Sequence, residues 1–168
     1  MSVNETFVSR KSGVECPMCA TPDGRTDAAS DAPSDLVIEL PSGLVRLQND
    51  ANYRGYCILI LNHHKTEIHE LSESGRRNWI EDIARIERAV TAICNPDKIN
   101  IAMLGNLVPH LHCHVIPRYF DDTEWGAPPQ FRTPSERTKL EESAYSELLL
   151  KLREHIKSEP DFAHGGGR

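Results

Sequence analysis

Three histidines separated by single residues, His110, His112 and His114, lie in the run Pro109-His110-Leu111-His112-Cys113-His114-Val115-Ile116-Pro117-Arg118-Tyr119. The run reads as a buried strand, in which successive side chains point to opposite faces. The three imidazoles then share one face, roughly 7 Å apart in succession, and Leu111, Cys113 and Val115 take the other. Burying imidazoles is costly unless each finds a partner. A lone histidine of this kind most often bonds a backbone carbonyl in the core. Three in register beside a glycine turn call for more, and two chemistries fit. His-x-His pairs on strands are good metal ligands. Alternatively, an imidazole attacks phosphorus to form a phosphoramidate that water later cleaves, while its neighbours orient it and stabilise phosphoryl oxygens.

A second candidate lies upstream. Cys16-Pro17-Met18-Cys19 has the two-residue spacing that lets both thiolates reach one ion. A redox pair would usually sit at a helix N-terminus in a βαβ context, which Ala20-Thr21-Pro22-Asp23 does not offer. A closed tetrahedral site needs two more ligands. Cys57, Cys94 and Cys113 sit in apolar runs and read as small core hydrophobes. Five cysteines behind an N-terminus without basic and apolar signal regions point to reduced thiols and a cytoplasmic protein.

These residues need a scaffold. A chain of 168 residues is expected to form one domain with a real core. No apolar stretch has the length of a membrane span, and a net charge of −6 argues against a nucleic-acid polymer as partner. A small phosphorylated substrate remains compatible, because a local site can oppose the global sign. Residues 20–35, rich in Asp, Ser, Pro and Ala, read as a solvated loop. Leu36-Val37-Ile38-Glu39-Leu40 and Leu44-Val45-Arg46-Leu47 flank Pro41-Ser42-Gly43 as a hairpin, and Tyr56-Cys57-Ile58-Leu59-Ile60-Leu61 is a third strand.

Ile80, Ile83, Ile86, Val90 and Ile93 recur at helical steps from Ser72 to Cys94, with Ser72 as the cap and Asn95-Pro96 as the stop. Ile99 to Met103 is a fourth strand, and the histidine run a fifth, with Gly105-Asn106 turning between them. A second helix from about Thr138 to Ile156 carries Leu140, Ala144, Leu148, Leu152 and Ile156. The tail His164-Gly165-Gly166-Gly167-Arg168 is expected to be disordered. The expectation is an α+β fold: an antiparallel sheet of about five strands, one long central helix and a C-terminal helix. Three segments follow: residues 1–35 with the cysteine pair and loop, a core at 36–119, and a C-terminal loop, helix and tail at 120–168.

The segment His110-Leu111-His112-Cys113-His114-Val115-Ile116 resembles the signature of the histidine-triad (HIT) family, His-φ-His-φ-His-φ-φ with φ apolar. Gly105-Asn106-Leu107-Val108-Pro109 stands where that family has Gly-Gln-Ser/Thr-Val. Gly55-Tyr56-Cys57-Ile58-Leu59-Ile60-Leu61-Asn62-His63-His64 is similar to its Gly-His-x-Leu-Val-Ile-Pro-Lys-x-His segment. The resemblance spans roughly residues 36–119. It implies hydrolysis or transfer at the α-phosphate of a nucleoside monophosphate joined to a leaving group. Such a substrate is a dinucleoside polyphosphate, a phosphoramidate or another adenylylated compound. His112 would be the nucleophile, His114 a donor to a non-bridging oxygen, and His110 a positioning group.

Asn106, shorter than the family's Gln, would contact the phosphate or leaving-group oxygen, and Leu107 would offer its backbone N–H. Among Gln48, Asn49 and Asp50, the resemblance favours Asn49 for the ribose, although a turn rich in Asn and Asp is equally expected without a ligand. Some members of the family hold zinc through an N-terminal Cys-x-x-Cys, the histidine after the Gly-x-x-Leu-Val strand, and the first triad histidine. By position these are Cys16, Cys19, His64 and His110, a structural site with His63 as the competitor to His64. Homodimers are common in the family. Capture of the same intermediate by phosphate or another acceptor would make a phosphorylase or nucleotidyltransferase. The departures at Asn106 and Leu107 leave room for a non-catalytic nucleotide-binding protein, and a triad that only ligates metal is a third reading. Arg118 reads as an exposed strand-end residue, and Trp125 beside Pro128-Pro129 as an aromatic that holds a loop down.

Overall fold

The computed structural model describes residues 3–20, 35–132 and 134–159. The interior of the loop expected at 20–35 and the tail at 164–168 lie outside them. Five strands, β1 (Asp35–Glu39), β2 (Gly43–Leu47), β3 (Cys57–Leu61), β4 (Lys98–Ala102) and β5 (His112–Arg118), form one sheet in the order β1-β2-β3-β5-β4. Every neighbouring pair is antiparallel. Among the described residues four α-helices accompany it: α1 (Val3–Lys11), α2 (Pro17–Ala20), α3 (Glu73–Cys94) and α4 (Glu142–Ser158). The fold is therefore α+β, with the five antiparallel strands, the long helix and the C-terminal helix that the sequence implies. Among the described residues, no helix is long and apolar enough to cross a membrane.

Period two sorts the sheet into two faces. Val45, Leu47, Cys57, Leu59, Cys113 and Val115 point to the face packed by α3 and α4 and form the main core. On the other face Ile58, Ile60 and Ile116 meet Tyr53, Tyr56, Val108, Cys16 and Met18 in a second, smaller cluster. The buried cysteines 57, 94 and 113 pack as core hydrophobes. Gly55, in the turn entering β3, has a φ of +98° and lies so close to Cys94 that a Cβ would stand 2.6 Å from its Sγ; only glycine suits that backbone and that gap.

Helix α3 starts where Ser72 Oγ accepts the Gly75 N–H at 3.1 Å and stops at Asn95, whose φ is +49°. Its buried side is Trp79, Ile83, Ile86, Ala89, Val90 and Cys94. Ile80, expected on this stripe, is 53% exposed, and Trp79 takes the inward position. One residue is about 100° of helix rotation, enough to move a side chain off the face. Asp82 reaches from the buried side to the Ser42 N–H (2.8 Å) and Oγ (2.5 Å), which locks α3 to the β1–β2 turn.

Helix α4 begins four residues later than expected, because the preceding stretch serves the turn after β2. The Thr138 carbonyl accepts the Ala51 N–H at 2.7 Å, and the Leu140 N–H donates to Asn49 Oδ1 at 2.8 Å. Tyr145, not Ala144, turns inward, and its hydroxyl donates to the Leu47 carbonyl at 2.8 Å.

Candidate active site

Strand β5 lies inside the sheet, with His112 opposite Ile60 and His114 opposite Ile58 on β3. That register puts both imidazoles on the face away from α3, with ring centroids 4.9 Å apart and both rings buried. His110 lies before the strand, which begins at His112. Its N–H donates to the Val108 carbonyl at 2.8 Å, a tight turn that leaves it outside the ladder. The strand thus carries two of the histidines, and the turn before it carries the third.

The hydrogen bonds set each ring's protonation. His112 Nδ1 lies 2.6 Å from the His110 carbonyl oxygen. A carbonyl only accepts, so Nδ1 carries the proton and Nε2 the lone pair. His114 Nδ1 lies 2.5 Å from Tyr56 Oη. Burial, with the nearby His112 and Arg137 charges adding to it, pushes the His114 pKa down to about 3, so the ring is neutral at ordinary pH. A neutral imidazole that accepts the phenol O–H at Nδ1 holds its own proton on Nε2. Phe131 covers the other side of His114, edge to face at 4.9 Å between centroids.

The turn before β5 assembles a separate cluster. Cys16, Cys19, His64 and His110 bring their ligand atoms within 4.8 Å of one another. Cys16 Sγ is 3.4 Å from His110 Nδ1, Cys19 Sγ 3.3 Å from His64 Nδ1 and 3.5 Å from His110 Nδ1. Metal–sulfur and metal–nitrogen bonds of about 2.3 and 2.0 Å at tetrahedral angles require ligand–ligand edges of about 3.5 Å, so the donor set fits such an ion. Both imidazoles also point the right way round. His110 Nε2–H donates to the Leu61 carbonyl at 2.9 Å, and His64 Nε2–H to the Lys11 carbonyl at 3.1 Å. Each Nδ1 lone pair is thereby aimed at the thiols, the outer-shell arrangement typical of metal-bound histidine. Burial, the largest effect, pushes His110 down to about 4 and favours its neutral form. His63 stays exposed, bonded to Asn62 Oδ1 at 2.7 Å, outside the cluster.

Other expected residues are more scattered. Asn106 and Leu107 are exposed in the β4–β5 connection, and the Leu107 carbonyl accepts from Arg10 Nη1 at 2.8 Å. Asn49 uses its Oδ1 on Leu140. Asp50 Oδ1 accepts the Asn52 N–H at 3.0 Å and caps the short 3-10 turn. Gln48, buried like Asp50, accepts at Oε1 from Arg137 Nη1 at 3.0 Å, while its Nε2 has no hydrogen-bond partner among the described residues.

Arg118 is buried, contrary to the strand-end reading. Nε meets Asp122 at 2.5 Å, and Nη1 and Nη2 donate to Asn100 Oδ1 and to the Ala127 and Glu124 carbonyls. It pins the loop after β5. Trp125 packs on Phe120 at 4.6 Å between centroids, as a loop-holding aromatic would. Tyr56, Phe131 and Arg137 were not singled out from sequence. Tyr56 had a signal, since it replaces the histidine in the Gly-His segment quoted above; Phe131 and Arg137 lie in a loop without periodicity.

Residues 29–121 match the family model described as HIT domain. A histidine triad protein from Bradyrhizobium japonicum is 31% identical, over 73% of this chain and 90% of that one, with a TM-score of 0.67. A zinc-bound histidine triad family protein from Mycobacterium smegmatis is 24% identical over 86% of this chain and 96% of that one, with a TM-score of 0.61. A hypothetical histidine triad nucleotide-binding protein from Sulfolobus tokodaii shares the fold at 20% identity, over 76% and 86%, with a TM-score of 0.56. Comparison with curated proteins gives no match. The chain belongs to the HIT family.

Proposed function

We propose that this protein is a nucleotide hydrolase, cleaving at the α-phosphate of a substrate in which a nucleoside monophosphate is joined to a leaving group. The observation that carries this reading is the 2.6 Å contact between His112 Nδ1 and the His110 carbonyl. It leaves the nucleophilic lone pair on Nε2, the state needed for attack. Nε2 bonds to phosphorus, the bond to the leaving group breaks, and its electron pair departs with that group. Water then bonds to phosphorus, the P–N bond breaks, the pair returns to Nε2, and a water proton passes to solvent. His114, neutral and protonated on Nε2, donates to a non-bridging oxygen through both steps. Asn106 and the Leu107 N–H would meet the phosphate or leaving-group oxygen, and the Asn49 amide, whose Nδ2 still carries donors, the ribose.

Cys16, Cys19, His64 and His110 are read as a structural zinc site, with four protein ligands and no open position for water. Zinc there would supply cross-linking, tying the N-terminal segment to the turn that carries His110. A homodimer is the accompanying reading. It is supported by Ile101, Met103 and Leu104 along and just beyond the edge strand β4 and by Ile80 on α3, each at least 40% exposed. A cytoplasmic location accompanies it.

The test is turnover of a panel of dinucleoside polyphosphates, nucleoside phosphoramidates and adenylylated compounds by wild type and His112→Ala, with and without added phosphate. Removing the nucleophile should lower turnover on the order of 10⁴-fold or more while nucleotide binding persists. Undiminished turnover would dismiss His112. Product carrying the added phosphate would make the enzyme a phosphorylase.

A further inference from the structure

Phe131 stands beyond residues 29–121, the stretch that matches the HIT domain model. Its ring nevertheless lies edge to face on His114, at 4.9 Å between centroids. Burial does not account for that position, because the residue is 46% exposed and joins neither apolar cluster of the sheet. Apolar transfer alone gives no reason to hold half of a phenyl ring in water. The segment is fastened on both sides of the ring. Ahead of it, Arg118 Nη1 donates to the Ala127 carbonyl at 3.0 Å, Pro128 and Pro129 each fix a φ, and the Gln130 N–H donates to Tyr53 Oη at 3.0 Å. After it, Arg137 donates from Nε to the Arg132 carbonyl at 3.1 Å and from Nη1 to Gln48 Oε1 at 3.0 Å. The Gln48 N–H donates in turn to the Tyr56 carbonyl at 2.8 Å. Arg137 thereby ties together the backbone beside both ring partners of His114, Phe131 and Tyr56.

A half-open aromatic ring, ordered before any ligand arrives, is suited to receive another flat ring. A preordered platform loses little entropy on binding. Stacking also tolerates different bases, because every base has a π-face. The neighbours of Phe131 set the side of the phosphate it serves. Under the nucleotide-hydrolase reading, Asn106 and the Leu107 N–H, ahead of His110 in the chain, take the leaving-group side. Asn49, assigned the ribose, adjoins Gln48, to which Arg137 ties the Phe131 segment. Phe131 is thus on the nucleoside side.

We propose that Phe131 is a specificity-determining residue: the base of the nucleoside monophosphate stacks on its open side while His114 holds the α-phosphate. This rests on the nucleotide-hydrolase reading. Such a platform reads the presence of a ring more than the pattern of its hydrogen-bonding edge. Purine and pyrimidine nucleotides are both accepted, and a sugar phosphate without a base is discriminated against.

The experiment measures binding of AMP and of ribose 5-phosphate to the full chain as wild type, Phe131→Leu and Phe131→Trp, with the thermal midpoint as folding control. Phe131→Leu should bind AMP roughly tenfold more weakly and ribose 5-phosphate as the wild type does, and Phe131→Trp should restore AMP affinity. Proton NMR should show the H2 and H8 resonances of bound AMP shifted upfield by the ring in wild type, and less so in Phe131→Leu. In turnover, kcat/KM for an adenosine phosphoramidate with a neutral amine leaving group, whose one base is the nucleoside's, should fall by the same factor. Unchanged AMP affinity in Phe131→Leu, or an equal loss for ribose 5-phosphate, overturns the platform. A loss seen with diadenosine tetraphosphate and not with the phosphoramidate puts the ring under the leaving group and overturns it too. AMP binding that depends on Phe131 without turnover of any substrate supports the platform and overturns the hydrolase reading. A wild type that does not bind AMP overturns both.

Discussion

Two neighbouring imidazoles on β5 have opposite tautomers of use, and each is set by one partner. The His110 carbonyl takes the Nδ1 proton of His112 and leaves Nε2 nucleophilic. Tyr56 Oη lies 2.5 Å from Nδ1 of His114, and a phenol O–H donated there leaves Nε2–H as a donor. Burial keeps His114 neutral, so its donor is not gained by protonation at mildly acidic pH. Under the proposed function Tyr56 is a positioning residue for the phosphate oxygen. Tyr56→Phe retains the ring's edge-to-face packing on Tyr53 but removes the O–H, and the His114 proton is free to move to Nδ1. The expected result is a fall in kcat of roughly tenfold or more, toward the loss seen when one preorganised donor is removed. Histidine ¹⁵N shifts should report the change of tautomer at His114. An unchanged tautomer with unchanged kcat would show that Tyr56 only fills space.

At the scale of elements, the turn before β5 does two jobs with one residue. His110 offers its side chain to the Cys/His cluster and its carbonyl to His112. The same cluster fixes α1 and α2 through Cys16, Cys19 and the bond from His64 to Lys11. Zinc removal should therefore loosen the N-terminal segment first. Under reducing, chelator-free purification the account expects one zinc per chain. Cys19→Ser should lose it and lower the thermal midpoint, because metal bound only by the folded state adds to folding free energy. Hydrogen exchange should rise in residues 3–20 and 107–111, while α3 keeps its protection. No zinc in the purified protein, or a Cys19→Ser variant with wild-type metal content and midpoint, would refute the assignment.

At the scale of the molecule, local rules and long-range closure divide what the chain reveals. Ser72 and Asn95-Pro96 mark the ends of α3 in the sequence because caps are local chemistry. The period-two pattern places Cys113 and Val115 in the core and His112 and His114 opposite them for the same reason. His110 left the strand through an i to i−2 backbone bond that no periodicity announces. Arg118 reads as a surface residue because its partners come from β4 (Asn100) and from the loop after β5 (Glu124 and Ala127), which no local pattern joins to it. Phe131 and Arg137 reach the triad face only after the loop following β5 folds back, with Arg137 meeting Gln48 across 89 residues. Helix α1 is invisible to an apolar-stripe argument, since it buries nothing. The full Cys/His cluster was legible only through family resemblance, because Cys16 and His110 are 94 residues apart. Under the proposed function the whole assembly serves one nitrogen, His112 Nε2. The most direct test is intact-mass and peptide analysis of acid-quenched samples taken during turnover of adenylyl substrates, with wild type and His112→Asn in parallel. Phosphoramidates are acid-labile, so a matched alkaline quench is run beside it. The account predicts an adenylyl adduct that rises and decays with turnover, maps to His112, and is missing from the variant. Turnover with no adduct under either quench, or an adduct that persists in His112→Asn, would contradict it.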